Sequence, residues 1–236
     1  MNKAVDPARS LRIGGFLPFT SVDYPGALAA VIFCQGCPLR CVYCHNRELL
    51  PIRRAARTKW EDVCSHLVRR AGLLDAVVFS GGEPLMQRAL TPAIALVKKQ
   101  GFKVGLHTSG IAPDRLSTVL PLLDWVGFDV KTSFDKYEEV TQVKGAGEKV
   151  RQSLAILASA GIDIEIRTTI WPRLVDSVEV RNIAEEIAAM GFQNFAIQEA
   201  RDPQTNMPKG GEIFGDLPIQ ERLRNTFSEY TIRRAA

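Results

Sequence analysis

The sequence of 236 residues predicts an α/β fold, a parallel sheet wound as an open, partial (β/α)6 barrel. Three observations predict it. Six short apolar, β-branched-rich runs recur, at 28–33, 76–79, 104–107, 126–130, 162–168 and 195–198. Continuous apolar runs of this length suit parallel strands covered on both faces. Segments with helical spacing lie between them, and Gly72, Gly101, Gly161 and Gly191 follow the helical patterns, where a left-handed cap favours glycine.

The helical segments justify themselves by spacing. Trp60, Val63, Cys64, Leu67 and Val68 fall on one helix face. Leu90, Ile94 and Val97 do the same, as do Leu154, Leu157 and Ala158, then Val180, Ile183 and Ile187. Strands alternating with helices imply right-handed crossovers. Six units fall short of a closed eight-fold barrel, and a flat doubly wound sheet is the alternative. No linker divides the chain, so 1–236 reads as one domain, with 1–10 a flexible start and 201–236 a C-terminal loop and helix.

Composition excludes several classes. Apolar residues make up 46% and charged residues 24%, the balance of a soluble globular protein. A net charge of +4 is far from the basic stripe of a nucleic-acid binder. No apolar run reaches the ~20 residues that span a bilayer. Nor does the start carry a secretory signal, so a cytoplasmic location is expected, with no membrane partner.

Cys34, Cys37, Cys41 and Cys44 crowd into one short segment, which in a cytoplasmic chain suggests a metal site over a disulfide framework. Cys37, Cys41 and Cys44 form C-x3-C-x2-C directly after the first expected strand. Three thiolates can each hold one iron of a cubane and leave the fourth iron open. With Cys34 added, the spacing also suits four thiolates closed around zinc; as a residue at a strand end, Cys34 is equally a small buried one. The second expected strand runs into Ser80-Gly81-Gly82-Glu83-Pro84. Glycines there allow close backbone approach to a ligand, and Glu83 suits an ammonium.

The other strand ends gather polar residues where barrel strands present chemistry. His107-Thr108-Ser109-Gly110 ends the third, as ligand groups or as helix caps. Asp129 and Lys131 share a face by period-two alternation, able to pair or to bind one ligand. Arg167 can grip a carboxylate bidentately or neutralise Glu199 or Asp129; Gln198 closes the sixth strand. Arg53, Arg54 and Arg57 form a basic loop that could dock an acidic partner surface, or simply be solvated.

The cysteine spacing, with Tyr43 before the last cysteine, resembles the signature of radical S-adenosylmethionine (SAM) enzymes, and Gly81-Gly82-Glu83-Pro84 is similar to that family's GGEP motif. The resemblance implies a [4Fe–4S] cluster on Cys37, Cys41 and Cys44 that reductively cleaves SAM. It places Tyr43 near the adenine and Gly81, Gly82 and Glu83 at the SAM amino group. His107, Ser109, Asp129, Lys131, Arg167 and Gln198 become further cofactor contacts. The stretch Gly14-Gly15-Phe16-Leu17-Pro18-Phe19-Thr20-Ser21-Val22-Asp23-Tyr24-Pro25-Gly26 resembles the approach to the first strand in the activating proteins of anaerobic ribonucleotide reductases. Cys44-His45-Asn46 and Asp129-x-Lys131 are similar to glycyl-radical activases, including the pyruvate formate-lyase kind. By implication the partner is a glycyl radical enzyme, served by an external electron donor such as flavodoxin or ferredoxin. His107 departs from the aspartate of the pyruvate formate-lyase type. The alternatives are a small-molecule radical SAM enzyme, such as one of 7-deazapurine synthesis, and a non-catalytic metal-binding or electron-transfer protein.

Overall fold

A computed structural model describes residues 6–209 and 211–234. They form two compact units. The first takes in the described residues up to Pro38, with Asn46–Thr108 and Asp114–Val126. The second takes in Leu39–His45, Ser109–Pro113 and the described residues from Gly127 onward.

In the first unit a short 3-10 helix, Pro7–Ser10, precedes β1 (Ile13–Thr20) and β2 (Ala29–Cys34). Helix α1 (Trp60–Arg69), β3 (Ala76–Gly81), α2 (Leu90–Lys99), β4 (Lys103–Thr108) and α3 (Pro113–Val119) follow. β2, β3 and β4 are parallel neighbours, and β1 adds to β2 antiparallel. The strands form because their side chains are apolar on both faces: Ala76, Val77, Val78 and Phe79 are all fully buried. Tyr24, Ala29, Val31, Ala76, Val78 and Trp125 make one core cluster. Helix α2 covers the sheet with Leu90, Ala93, Ile94 and Val97. Burying each of its larger apolar side chains is worth roughly 2 kcal/mol.

Strand β5 (Trp125–Asp129) leads into the second unit, which holds α4 (Tyr137–Thr141), α5 (Ala146–Ala158), β6 (Asp163–Ile170), α6 (Ser177–Ala189) and β7 (Asn194–Arg201). Then come β8 (Pro208–Lys209), α7 (Gly211–Gly215), α8 (Leu217–Thr226) and β9 (Glu229–Arg233). β6 and β9 flank β7 in parallel, and β8 pairs with it antiparallel. Asp176 caps α6 by accepting from the Glu179 N–H at 2.8 Å, and Val180, Ile183 and Ile187 face inward. Phe195 stacks on Phe227 at 4.8 Å.

All six expected strands are present, so the α/β class with mostly parallel pairing holds. The four expected helices are present too. Three differences have physical reasons. β1 was missed because Gly14, Gly15 and Pro18 read as loop; proline is tolerated there on an edge strand. β9 lies in the region expected to hold only a loop and a helix. Gly161 does not adopt the left-handed conformation of Gly72, Gly101 and Gly191, because α5 ends earlier, at Ala158 with Ser159 as cap. Of the start expected to be flexible, residues 1–5 lie outside the described residues, and Ala8 is buried. Among the described residues no helix is long and apolar enough to cross a membrane.

Candidate active site

In the first unit, β2 and β3 pair in register so that Cys34 lies opposite Gly81. The ladder continues past both strand ends. The Gly82 N–H donates to the Cys34 carbonyl at 2.9 Å, and the Glu83 N–H to the Gly36 carbonyl at 2.9 Å. A Cβ on Gly81 would lie 2.4 Å from the Cys34 nitrogen, and one on Gly82 2.4 Å from the Gly36 oxygen. Gly81 also has φ +113°, which L side chains rarely adopt. The two glycines therefore serve the approach of one loop's backbone to the other.

Glu83 is fully buried. Its Oε1 accepts from the Leu85 N–H at 3.2 Å and from the Thr108 hydroxyl at 2.7 Å. A buried carboxylate is tolerable only with such donors. The sequence placed Thr108 in a polar strand end, as a ligand group or a helix cap; in the structure it holds Glu83 directly. His107 faces elsewhere: Nε2 lies 3.1 Å from the Asp23 carbonyl and Nδ1 3.2 Å from the Ser80 hydroxyl. A carbonyl only accepts, so Nε2 carries the proton. The ring packs edge-on against Trp125.

The cysteine loop is anchored from beneath. Gly36 and Cys37 donate their N–H groups to the Leu49 and Leu50 carbonyls at 2.7 and 3.2 Å. The Gln35 side-chain amide donates to Glu48 and Pro51 carbonyls. Cys37 is buried. Cys34 is completely buried; burial, then the charge of Glu83, holds its thiol well above the usual range, so it sits there as a protonated, compact side chain.

In the second unit the Cys44 N–H donates to the Cys41 carbonyl at 3.0 Å, closing a turn, and both cysteines are half-buried. Burial pushes the Cys41 thiol up, while Lys131 pulls it back down. Lys131 and Asp129 pair at 3.5 Å, on the shared face the alternation predicted. Burial works against the Lys131 charge, yet Asp129, with Tyr43, Cys41 and Tyr137, holds its pKa well above the ordinary value. The Lys131 N–H also donates to the Tyr137 hydroxyl at 2.9 Å. Tyr43 is buried, stacks with Trp171 at 6.2 Å, and its hydroxyl has no hydrogen-bond partner among the described residues.

Just beyond Lys131, the Glu179 carboxylate gathers donors. Oε1 accepts from the Thr132 hydroxyl at 2.6 Å and from both the N–H and hydroxyl of Ser133, at 2.8 and 2.6 Å. Oε2 meets the Lys136 ammonium at 2.6 Å. Burial opposes its charge, but these groups bring its pKa down to about 2. The sequence offered no signal for this cluster beyond an acidic residue on a buried helix face.

Arg167 is buried and pairs with Glu165, two positions back on β6, at 2.5 Å; this partner was not foreseen. Glu165 also receives a bidentate grip from Arg233 at 2.7 and 2.8 Å, and Arg233 reaches Gln198 at 3.4 Å. Glu199 meets Arg234 at 3.7 Å. Ser109 is buried in the second unit.

All five cysteines are free thiols. Four steps of chain separate Cys37 from Cys41, a span of at most about 14 Å, and thiolates of a cubane occupy separate irons. Soft thiol donors, with the Lys131 cation beside Cys41 to favour an anionic assembly, fit an iron–sulfur cluster.

The profile of the Radical SAM superfamily matches residues 31–187, and the chain belongs to that superfamily. It is a radical SAM enzyme, and its cofactors are a [4Fe–4S] cluster and S-adenosylmethionine. A Methanocaldococcus jannaschii protein that bears the name of a glycyl-radical enzyme activating enzyme is 30% identical over 85% of this chain and 88% of its own. The pyruvate formate-lyase-activating enzyme of Clostridium pasteurianum is 33% identical over 70% of this chain and 71% of its own. The fold is also that of Streptococcus suis SuiB bound to S-adenosylmethionine, with a TM-score of 0.64 at 12% identity. That match covers 84% of this chain and 48% of SuiB, so the chain spans about half of SuiB's length.

Proposed function

We propose that the chain is the activating enzyme of a glycyl-radical enzyme, acting in the cytoplasm, and that its partner is an anaerobic ribonucleotide reductase. The observation that carries this reading is the identity, near one residue in three, to two proteins named for activation. Cys37, Cys41 and Cys44 would hold the cluster. Bound and reduced, the cluster supplies the electron that cleaves SAM and so initiates removal of the α-hydrogen of a partner glycine.

The chain's own groups divide the remaining work. Gly81, Gly82 and Glu83 would receive the SAM ammonium, with Thr108 fixing the Glu83 carboxylate so that its charge is aimed. Tyr43, backed by Trp171, would offer a flat face to the adenine. Lys131 and Asp129 would orient charged groups beside Cys41, and Ser109, Arg167 and Gln198 would complete the contacts. The choice of ribonucleotide reductase rests on the segment from Gly14 to Gly26. Part of that segment is also spent on packing: Tyr24 is a core residue against Trp125 at 5.3 Å, and Asp23 accepts from the Thr20 hydroxyl at 2.6 Å.

The test combines the reconstituted protein, SAM, reductant and a ribonucleotide reductase labelled with α-deuterated glycine. Deuterium appearing in 5′-deoxyadenosine, together with a glycyl radical signal, is the expected result. Cleavage of SAM at full rate with no deuterium transfer sinks the reading.

A further inference from the structure

We infer that the arginine loop at residues 51–59 is the docking surface for an acidic electron-donor protein that reduces the cluster. The inference rests on the reading of Cys37 as a cluster ligand and does not depend on which partner is activated.

The loop is built for contact with something outside. Arg53, Arg54, Arg57 and Lys59 are all exposed, and among the described residues none of them has a carboxylate partner. Residues 51–60 contain no acid. The chain's net charge is +4, so these four cations equal its whole excess and the rest of the sequence is electrically balanced. A loop of four exposed cations with no acid among them presents a local positive field, which steers an oppositely charged partner to that spot. Ile52, 45% exposed, sits among the cations and supplies an apolar contact within a charged rim.

The loop's position, not its charge alone, identifies the partner. The near end is tied to the backbone of the first cluster cysteine, and the far end to the strand beside β2. At the near end, the Leu49 and Leu50 carbonyls accept from Gly36 and Cys37, and Gln35 clamps the Glu48 and Pro51 carbonyls. At the far end, the Arg57 N–H donates to the Ile13 carbonyl at 2.7 Å, on the strand beside β2. Arg53 lies three residues beyond Leu50, so its backbone is within about 11 Å of chain from the Cys37 contact. A protein seated on these arginines sits next to the backbone of a cluster ligand. That placement serves a donor, which must bring its own cofactor close; the transfer is one electron from donor to cluster, with no bond made or broken. Rim charges of this kind act mainly on association rate and are screened by salt.

The experiment uses the reconstituted enzyme and flavodoxin as the acidic donor. The variant Arg53→Gln with Arg54→Gln is compared with Arg69→Gln with Arg70→Gln, an equal loss of exposed charge at the end of α1. Two quantities are read: flavodoxin binding by flavin fluorescence, and the rate of cluster bleaching by reduced flavodoxin. Titanium(III) citrate, a small reductant, serves as the control. The Arg53/Arg54 variant is expected to bind flavodoxin and be reduced by it roughly tenfold more slowly at low ionic strength. The gap closes in high salt, while titanium citrate and the α1 variant behave as wild type.

Equal losses in both variants, or none in either, overturn the proposal. So does unchanged donor reduction accompanied by loss of glycyl radical formation, which assigns the loop to the radical-bearing partner. Normal flavodoxin binding without any reducible cluster would instead count against the Cys37 reading.

Discussion

The turn at Glu83 and the first turn of α6 at Glu179 both bury a carboxylate beside proposed cofactor residues, but they are held by different forces. At Glu83 the fixing is steric and main-chain: glycines that admit no Cβ, two ladder bonds past the strand ends, and one hydroxyl. At Glu179 it is electrostatic and side-chain: two hydroxyls, one N–H and an ammonium on a single carboxylate. A steric fixture is insensitive to pH and salt and intolerant of atoms. An electrostatic one tolerates shape changes but yields to protonation.

The largest effect should come from adding a single methyl group to the steric side. Gly81→Ala meets the Cys34 backbone and a disfavoured φ together, costing about 4 kcal/mol from overpacking and strain. Urea unfolding should show the loss, and iron content after reconstitution should fall with it. A stable, fully loaded variant would mean that the ladder can shift, and the contrast would collapse.

Next comes Glu179→Ala, expected to cost about 3 kcal/mol because the buried Thr132 and Ser133 donors lose their acceptor. The pH dependence follows from the sign of the shift. The folded value near 2 lies below the unfolded carboxylate value of about 4.3. The contribution is therefore complete above that unfolded value and drains away as pH falls through about 2. Acid titration of stability should be shallower in the variant than in wild type across this window; identical slopes would remove the electrostatic reading.

Thr108→Val is a smaller cut. It deletes one hydrogen bond to a charged acceptor, worth roughly 1.5–3 kcal/mol. Its readout is SAM affinity measured on the loaded protein, weakened by the misaimed Glu83, with Thr108→Ser restoring it. The smallest effect belongs to Cys34→Ala, about 1 kcal/mol for the lost packing, with iron content unchanged. Loss of the whole metal centre in that variant would mean that four thiolates bind.

Much of this was legible in the sequence because it is local. Apolar runs of four to seven residues gave the strands, and i, i+3, i+4 spacing gave α1, α2, α5 and α6. The cysteine spacing and the turn at 80–84 stand in contiguous chain and need no folding to be seen. What stayed hidden depends on partners far apart in sequence. Thr108 reaches Glu83 across 25 positions, Glu179 reaches Thr132 across 47, and Arg233 reaches Glu165 across 68. No periodicity encodes such pairs. The meaning of Gly81 and Gly82 was half legible: the sequence showed that backbone must come close there, and only the fold showed that the other party is the cysteine loop itself.

That shared ladder makes length the guarded quantity. Hydrogen bonds from Gly82 to Cys34 and from Glu83 to Gly36 count residues on both chains, two steps on one against one step on the other. Inserting or deleting one residue between Cys34 and Gly36 slips this count. The solvent-facing stretch from Arg53 to Ala56 meets no such count, so an insertion scan should find sharp intolerance and easy acceptance within twenty residues of each other.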